Sequence, residues 1–273
     1  MAIPRNRTDL SHILSYGIDQ KNRILYFGNI LDFAEEHSNI ITQKSIELAT
    51  RAIHTMVIDA PNKPITIYMN SYGGDPYAML YLIDIIHSSP CQFKFYGGGA
   101  IMSAATWVMA ACDERYLYEN ATVMVHSGSA DFDGKHEDFL ISADEEVRLM
   151  RILIDIYTEN SFMPKEFWED IIKRDLHLTA NEAVVLGLAD ETVKPRKRGN
   201  LRKKRMHHLS TQPHHKTLNS LVKRLYSRIS INPKVNEIQV KLPPVDETEA
   251  DVFVDNTPFM ENNEELKDNN EET

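Results

Sequence analysis

Apolar and polar positions along the first 193 residues switch repeatedly between a period of two and a period near 3.6. The β-branched run ITIYMN (65–70) predicts a strand, and YAMLYLIDIIHS (77–88) has the apolar spacing of a helix. Asp75 is a good N-cap and Pro76 suits a first helical turn. The glycine pair at 73–74 is therefore predicted to lie at a strand-to-helix junction.

The same cycle repeats further along the chain. QFKFYGGGA (92–100) predicts a strand that leads into a turn, SAATWVMAA (103–111) a helix of small residues, and ATVMVHS (121–127) another strand. After these, ADEEVRLMRILIDIYTEN (143–160) has the spacing of a long helix. Strands that alternate with helices predict an α/β domain with parallel crossovers.

The segment LTANEAVVLGLAD (178–190) carries clear signals for a shorter helix. Thr179 and Glu182 have capping-box spacing, and Gly187 is well placed to end the helix. Asp175, in the preceding KRDLHL, is predicted to lie in the turn before this helix. A turn beside a capped helix can hold a carboxylate in a fixed place.

The net charge of −10 is an average over segments of opposite sign. Residues 1–193 carry 15 basic and 28 acidic side chains, residues 194–229 carry 12 basic and none acidic, and residues 245–273 carry 1 basic and 11 acidic. Such a change of sign marks a boundary, which we place near Val193. We predict an N-terminal segment (1–22), a folded domain (23–193), a basic linker with a short amphipathic helix (194–244) and an acidic disordered tail (245–273).

Composition excludes several classes of protein. No apolar run approaches the roughly 18 residues that a spanning helix requires, and the first residues lack the apolar core of a secretory signal. Cys91 and Cys112 lie in apolar surroundings without metal-ligand spacing, so we expect small core residues in a reducing compartment. We predict a cytoplasmic protein that is neither a disulfide scaffold nor a zinc ribbon.

The glycine pair at 73–74 offers a place for an anion. Backbone N–H groups at the start of a helix point outward, and the helix dipole favours negative charge there. NSYGGDP (70–76) lacks the Lys and Ser/Thr of a P-loop and the third glycine of a dinucleotide-binding fingerprint. The oxyanion of an acyl-transfer reaction remains a candidate ligand.

Ser103 lies where a turn of small residues becomes a helix, and it has two interpretations. A serine in that place is commonly an N-cap. It is also a candidate nucleophile, because acyl transfer needs a base within reach and a carboxylate to orient that base. His126 ends the next predicted strand, so its side chain can reach the same sheet edge, and Asp175 supplies a carboxylate.

At this point the sequence resembles a known family, the ClpP-like serine peptidases. The resemblance covers about residues 23–193 and is carried by RILYFGNI, NSYGG, GAIMSAATWVMAAC, VMVHS and RDLHLTANEAVVLGLAD. It implies the α/β fold of that family, a ClpP/crotonase-like spiral of repeated β-β-α units, here with a largely non-globular C-terminal extension. It also implies a hydrolase, a serine-type endopeptidase.

Position by position, the resemblance assigns five roles. Ser103 matches the nucleophile, His126 the general base and Asp175 the carboxylate that orients it. The backbone N–H groups of Gly74 and Ala104 match the oxyanion donors. No metal and no cofactor are implied in the peptidase itself.

The resemblance further implies a homo-oligomer that acts on polypeptides in a bacterial cell or a phage-infected host. A separate ATP-dependent AAA+ unfoldase is a candidate partner, although no residue of this chain identifies one. The family forms heptameric rings that stack through the segment after the histidine. Here that segment reads SGSADFDGKHEDF (127–139), with Ser127 and Gly128 in place of the family's Gln-Pro, so single and double rings both stay open. Tyr72 replaces the loop proline, a change that backbone donors should tolerate.

The last 80 residues admit several interpretations. The run KPRKRGNLRKKRMHH (194–208) has the charge for a polyanion but lacks aromatic residues for base stacking, so nucleic acid is a minor candidate. Leu218, Leu221, Leu225 and Ile229 repeat at helical spacing and predict a helix that docks on a protein surface. Such an appendage also fits a phage capsid-maturation (prohead) protease with a capsid or scaffold partner.

Two further hypotheses belong to other classes. One is a catalytically silent assembly subunit that acts through its tail, and the other is a crotonase-like acyl-CoA enzyme with the same paired oxyanion donors. A complete Ser-His-Asp set argues against both. DFDGKHED (131–138) lacks the spacing of a complete calcium-binding loop, so we interpret it as a solvated acidic loop. The paired histidines at 207–208 and 214–215 could bind a transition metal, but we interpret them as part of a polar, basic linker.

Overall fold

The protein was analysed as a computed structural model, which describes residues 13–28, 40–128, 136–194 and 215–229. These residues all belong to one unit of the chain, Met1–Lys241. The remaining unit, and with it the predicted acidic tail, lies outside the described residues.

Helices and strands alternate along the described chain. The strands are β1 (Ile18–Asp19), β2 (Ile24–Phe27), β3 (Ile40–Ile41), β4 (Ile65–Ser71), β5 (Gly73–Gly74), β6 (Phe93–Met102), β7 (Glu114–Tyr118), β8 (Thr122–Val125), β9 (Leu176–Thr179) and β10 (Glu191–Val193). The helices are α1 (Gln43–Asp59), α2 (Pro76–Ser88), α3 (Ala105–Ala111), α4 (His136–Glu159), α5 (Lys165–Ile171), α6 (Ala180–Leu186) and α7 (His215–Ile229). This order confirms the predicted α/β class.

The described strands form one large, mainly parallel sheet and one small one. The large sheet has the order β1-β2-β4-β6-β7-β10, and β8 pairs with β6 beyond the point where β7 ends. β9 then pairs with β8 in the antiparallel direction, and β3 and β5 form the separate two-stranded sheet. Parallel pairing needs crossover connections, which α1, α2 and α3 supply.

Alternation along the central strands separates a core face from an outer face. In β4 and β6 the side chains of Ile65, Ile67, Phe93 and Phe95 are fully buried in the core that the helices cover. Cys91 and Cys112 are also buried and unpaired, as predicted from composition.

Four tyrosines stack across neighbouring strands on the outer face. The rings of Tyr26, Tyr68, Tyr96 and Tyr116 follow one another at centroid distances of 5.4, 5.1 and 4.9 Å. Such cross-strand aromatic pairs stabilise the strand register. Desolvation raises the pKa of all four phenols.

Three local signals act as the sequence predicts. The Asp75 carboxylate accepts hydrogen bonds from two N–H groups at the start of α2, and Thr179 and Glu182 form a reciprocal capping box at the start of α6. Gly187 ends α6 with a φ of 79°, in the left-handed region. These caps fix the ends of the helices nearest the predicted site.

Three segments differ from the sequence prediction. The glycines at 97–99 remain within β6 rather than forming a turn, because Gly97 still pairs with β4 and β7 and the strand resumes pairing with β8 at Ala100. Between these points the register against β4 shifts from Met69–Gly97 to Ser71–Ile101, which leaves two extra residues on β6. The residues after Asp175 form β9 rather than a turn, because they pair with β8. The long helix α4 begins at His136, within the segment predicted to be an acidic loop.

Candidate active site

Ser103 lies in the tight connection between β6 and α3. Its φ is 53°, in a region that non-glycine residues rarely adopt. Its N–H donates to Met124 O at 2.9 Å, and its carbonyl accepts from the backbone N–H and the hydroxyl of Thr106 at 2.9 and 2.6 Å. Hydrogen bonds on both sides hold this unusual conformation, which raises the side chain out of the sheet edge.

The Ser103 hydroxyl faces the imidazole of His126, at 2.7 Å from Oγ to Nε2. His126 directly follows β8, and β8 is parallel to β6 with Met102 opposite Met124. Both side chains therefore emerge from the carboxyl ends of paired strands. The interpretation of Ser103 as an N-cap is wrong, because Ala104 occupies the N-cap of α3 and no side chain caps that helix.

Asp175 approaches the other ring nitrogen of His126. The distance from Asp175 Oδ1 to His126 Nδ1 is 3.4 Å, and the Asp175 side chain is 66% exposed. The pairing of β9 with β8 explains this approach. The two strands are antiparallel and Leu176 lies opposite Val125, so Asp175, just before Leu176, lies beside His126, just after Val125. The structure thus brings together all three side chains predicted for the site, with the carboxylate the least enclosed.

The glycine loop lies directly against the Ser103 turn. A Cβ on Gly73 would come within 2.8 Å of Ser103 Cβ, and one on Gly74 within 2.0 Å of Ile41 O. Their φ values are 105° and 147°, so both positions need glycine for conformation and for space. Tyr72, which replaces the loop proline, has a 57% exposed side chain.

A cleft of about 650 Å³ opens beside Ser103. It is lined by residues from the glycine loop, α3, the segment after His126 and α4: Gly74, Pro76, Tyr77, Ser103, Ala104, Trp107, Ser127, Gly128, Ile141, Ser142, Glu145, Glu146 and Leu149. Both predicted oxyanion-donor positions, Gly74 and Ala104, therefore border the same cavity as the hydroxyl. The cavity has the size and mixed lining of a ligand site.

One wall of this cleft is fixed by ionic contacts. Arg148 makes two hydrogen bonds to the Glu145 carboxylate, at 2.6 and 2.7 Å, and the Tyr77 hydroxyl donates to it at 2.9 Å. These hydrogen bonds, first from Arg148 and then from Tyr77, lower the pKa of Glu145 to about 2. The contact joins the first turn of α2 to α4 across the mouth of the cleft.

Thr106 and Tyr157 support the site but were not predicted from sequence. The Thr106 hydroxyl lies between the Ser103 carbonyl and the hydroxyl of Tyr157, with which it shares a hydrogen bond. Tyr157 comes from α4 and is fully buried, and burial raises the pKa of its phenol. Thr106 stands three residues after Ser103 at the start of a helix, a signal for a local hydrogen bond. Nothing in the sequence indicates its contact with Tyr157.

The arrangement has the parts of a nucleophilic acyl-transfer site. A hydroxyl is bonded to an imidazole nitrogen, a carboxylate faces the second nitrogen, and glycine-loop backbone borders the same cleft. These are the relations that activate a serine toward a carbonyl carbon. Among the described residues no cluster of three or more His, Cys, Asp or Glu side chains could hold a metal ion.

Comparison with known protein families agrees with this geometry. Residues 30–196 match the family model described as Clp protease. The chain belongs to the Clp protease family. The matched residues include the glycine loop, the Ser103 turn, His126 and Asp175, so the whole candidate site lies within the Clp protease domain.

Individual Clp protease subunits are similar over most of their own length. The chain is 27% identical over 177 residues to the ATP-dependent Clp protease proteolytic subunit of Deinococcus radiodurans, covering 63% of this chain and 81% of the relative. It is 31% identical over 157 residues to proteolytic subunit 1 of Chlamydia pneumoniae, covering 56% and 82% respectively. Membership in this family implies a peptidase, a hydrolase. No helix in the described ranges is long and apolar enough to cross a membrane.

Proposed function

We propose that the protein is a serine endopeptidase of the Clp type, with Ser103 as nucleophile, His126 as general base and Asp175 as the orienting carboxylate. The observation that carries the proposal is the 2.7 Å contact between Ser103 Oγ and His126 Nε2. A serine used only to cap a helix would direct its oxygen to backbone N–H groups. Here the oxygen faces a base within proton-transfer distance.

In the first step, Ser103 attacks the carbonyl carbon of a peptide bond while His126 Nε2 accepts its proton. Asp175 faces Nδ1 and keeps the proton of the neutral ring on that nitrogen. It also stabilises the imidazolium that forms. Negative charge develops on the former carbonyl oxygen, and we assign its stabilisation to the backbone N–H groups of Gly74 and Ala104.

In the second step, His126 returns the proton to the leaving amine, and the peptide bond breaks. The acyl group is left as an ester on Ser103. Water then enters and gives a proton to His126 as it attacks the ester. Collapse of this second tetrahedral intermediate releases the new carboxyl end and restores the Ser103 hydroxyl.

We further propose that the active form is a ring-shaped homo-oligomer, heptameric in a single or double ring. Large apolar side chains on α4 support an interface, because Leu140 and Ile141 are 53% and 69% exposed in the single chain. Exposed apolar clusters of this kind mark protein contacts. Sedimentation velocity of the parent and of a Leu140→Asp variant tests this point, and a parent that sediments as a monomer would contradict it.

The names of the relatives in Deinococcus and Chlamydia describe proteolysis as ATP-dependent. We propose that polypeptides reach this peptidase in a comparable way, delivered by a separate ATP-hydrolysing partner. The peptidase step described above uses no nucleotide and no metal. Short peptides should therefore be cleaved without ATP, whereas folded proteins should require the partner.

The direct test is hydrolysis of a panel of short fluorogenic peptides by the full-length protein and by Ser103→Ala. The parent should hydrolyse at least part of the panel, and the variant should lose at least about 10³-fold in rate because it has no nucleophile. Ser103→Thr is a matched control that retains a hydroxyl but crowds the turn. Equal hydrolysis by the parent and Ser103→Ala would overturn the proposal.

A further inference from the structure

Helix α7 belongs to the C-terminal extension and packs against the peptidase domain. Its apolar stripe is almost completely buried and consists of Leu218, Leu221, Val222, Leu225, Tyr226 and Ile229. Its main contacts are with α5, α6 and β9. This surface carries the segment that contains Asp175.

Two arginines of α7 form ion pairs with one buried carboxylate. Arg224 and Arg228 each donate to Glu182 Oε1 at 2.9 Å, and the Glu182 side chain is only 9% exposed. Burial alone would raise the pKa of Glu182. Three effects outweigh burial and lower this pKa: the hydrogen bond from the Thr179 N–H, the hydrogen bond from Arg228 and the positive charge of Arg228. The carboxylate is therefore ionised and paired at neutral pH.

Glu182 connects these arginines to the end of β9. Its Oε2 accepts from the N–H and the hydroxyl of Thr179, at 2.9 and 3.1 Å, and Thr179 is the last residue of β9. Arg228 also reaches the strand directly, donating to His177 O at 3.2 Å. Helix α7 therefore holds β9 at its end and at a backbone carbonyl within it.

A further contact lies on the other side of Asp175. The Tyr226 hydroxyl approaches Asp170 Oδ2 at 3.4 Å, and Asp170 also accepts from Lys173 at 2.6 Å. Asp170 is fully buried near the end of α5. The contacts of α7 thus bracket Asp175, with Asp170 five residues before it and His177 two residues after it.

Asp175 itself has little else to fix its position. Its carboxylate is mostly exposed, and its 3.4 Å contact with His126 is long for a charge-assisted hydrogen bond. Its place is set by the backbone on either side. That backbone includes β9, a four-residue strand that pairs only with β8 among the described strands.

We propose that α7 is a strap that positions Asp175 against His126 by holding β9, with Arg228 as the main positioning residue. The inference rests on the proposed function, because it concerns the geometry of the same triad. It assigns part of the C-terminal extension to catalysis, although α7 contributes no residue to the lining of the cleft beside Ser103. Arg228 acts through β9 and Asp175 rather than on the reacting atoms.

The test is a double-mutant cycle on the full-length protein, with the rate of fluorophosphonate labelling as the readout. Arg228→Ala should slow labelling by about tenfold. A factor of this size corresponds to the loss of roughly one charge-assisted hydrogen bond, here the one by which Asp175 orients His126. In an Asp175→Ala background the same change should have almost no further effect. A peptide substrate should show a lower kcat with KM nearly unchanged.

Two further variants provide controls. Lys223→Ala removes a positive charge from an exposed position of α7 that makes none of these contacts, and it should label at the parent rate. Arg228→Lys retains the charge but cannot reach Glu182 and His177 O together, so it should recover part of the rate. If thermal unfolding shows that Arg228→Ala does not fold, Arg228→Lys takes its place in the cycle.

The outcomes separate the two proposals. A parent that labels, together with an Arg228→Ala variant that labels equally fast, overturns the strap and leaves the peptidase intact. An equal fold-loss with and without Asp175 also overturns the strap, because it shows an effect independent of that carboxylate. A parent that shows neither labelling nor peptide hydrolysis overturns the proposed function and the strap together.

Discussion

The two partners of His126 are held in different ways. Ser103 lies at the junction of a ten-residue strand and a buried helix, with its backbone hydrogen-bonded on both sides. Asp175 is exposed, precedes a four-residue strand and lies 3.4 Å from the ring. The central sheet thus fixes Ser103, the proposed nucleophile, whereas the position of the Asp175 carboxylate depends on peripheral elements.

This difference separates two kinds of structural requirement. On the Ser103 side of His126, backbone segments pack closely against one another, so a small increase in side-chain volume there should abolish peptide hydrolysis. On the Asp175 side, the carboxylate needs a correctly placed edge strand, β9. Changes that displace β9 should reduce peptide hydrolysis by degrees. The four predictions below test this contrast.

The largest effect is expected for Gly74→Ala. The added Cβ would lie 2.0 Å from Ile41 O, so β5 must move away from β3 and carry the proposed oxyanion donor with it. We expect peptide hydrolysis to fall by about 10²- to 10³-fold, as when an oxyanion donor is lost. Gly98→Ala is the matched control, since its Cβ would meet only the Tyr118 ring at 3.0 Å. Equal kcat values for both variants would contradict this account of the loop.

Asp175→Ala should have the next largest effect. Without the carboxylate the imidazole loses its orienting partner, and kcat should fall by about 10²-fold, less than for a fully buried carboxylate. The measurement is steady-state hydrolysis of the same peptides, with Asp59→Ala as a control for loss of an exposed aspartate elsewhere. A fall in kcat as large as that of Ser103→Ala would contradict the contrast, because hydrolysis would then depend on Asp175 as strongly as on Ser103.

Thr106→Val should have a smaller effect on rate and a clear effect on stability. The valine keeps the shape but leaves the Ser103 carbonyl and the Tyr157 hydroxyl without this partner. We expect a loss of about 1 to 3 kcal/mol in the free energy of unfolding. The activity should fall only a few-fold, because Met124 still anchors Ser103. Chemical denaturation and peptide hydrolysis measure the two effects, and an unchanged stability would contradict the role given to Thr106.

The smallest effect is expected for acid titration of the ion pairs of α7. The pKa of Glu182 is lower in the folded chain than its ordinary value of 4.5 in the unfolded chain. Its ion pairs with Arg224 and Arg228 therefore stabilise the folded state fully at pH values above 4.5. That stabilisation is lost as pH falls through the lower, folded pKa. Unfolding followed between pH 6 and pH 3 should show a shallower decline for Glu182→Gln than for the parent. An identical decline would mean that α7 is held by its apolar stripe alone.

The nucleophile side was largely predictable from sequence. Ser103 and His126 stand at the ends of segments with clear periodicity, and the glycine pair precedes a capped helix. The parallel pairing of β6 with β8 then places the two side chains together. The glycines of β6 were misjudged as a turn, because local preference disfavours glycine in strands. In the structure Gly97 pairs with Met69 and Leu117, whereas Gly98 and Gly99 lie where the register against β4 shifts, a place in a strand that favours glycine.

The carboxylate side was less predictable. LHLT is too short for periodicity to distinguish a strand from a turn, and its pairing with β8 is a tertiary contact across more than 50 residues. The apolar spacing of residues 218–229 predicts the helix α7, but nothing in the sequence indicates which surface that helix covers. Glu182 and Asp170 precede the α7 side chains that they contact by more than 40 residues, and Glu182 already had a local explanation as part of a capping box.

The central claim is that His126 activates Ser103, and mapping a covalent adduct tests it most directly. The full-length protein should be treated with a fluorophosphonate, digested and sequenced by tandem mass spectrometry, beside His126→Ala under identical conditions. The account predicts a single phosphonylated residue, Ser103, in the parent and at least a 10²-fold slower adduct in the variant, since about that much reactivity comes from the base. An adduct on a different serine, or equal labelling of Ser103 without His126, would contradict it.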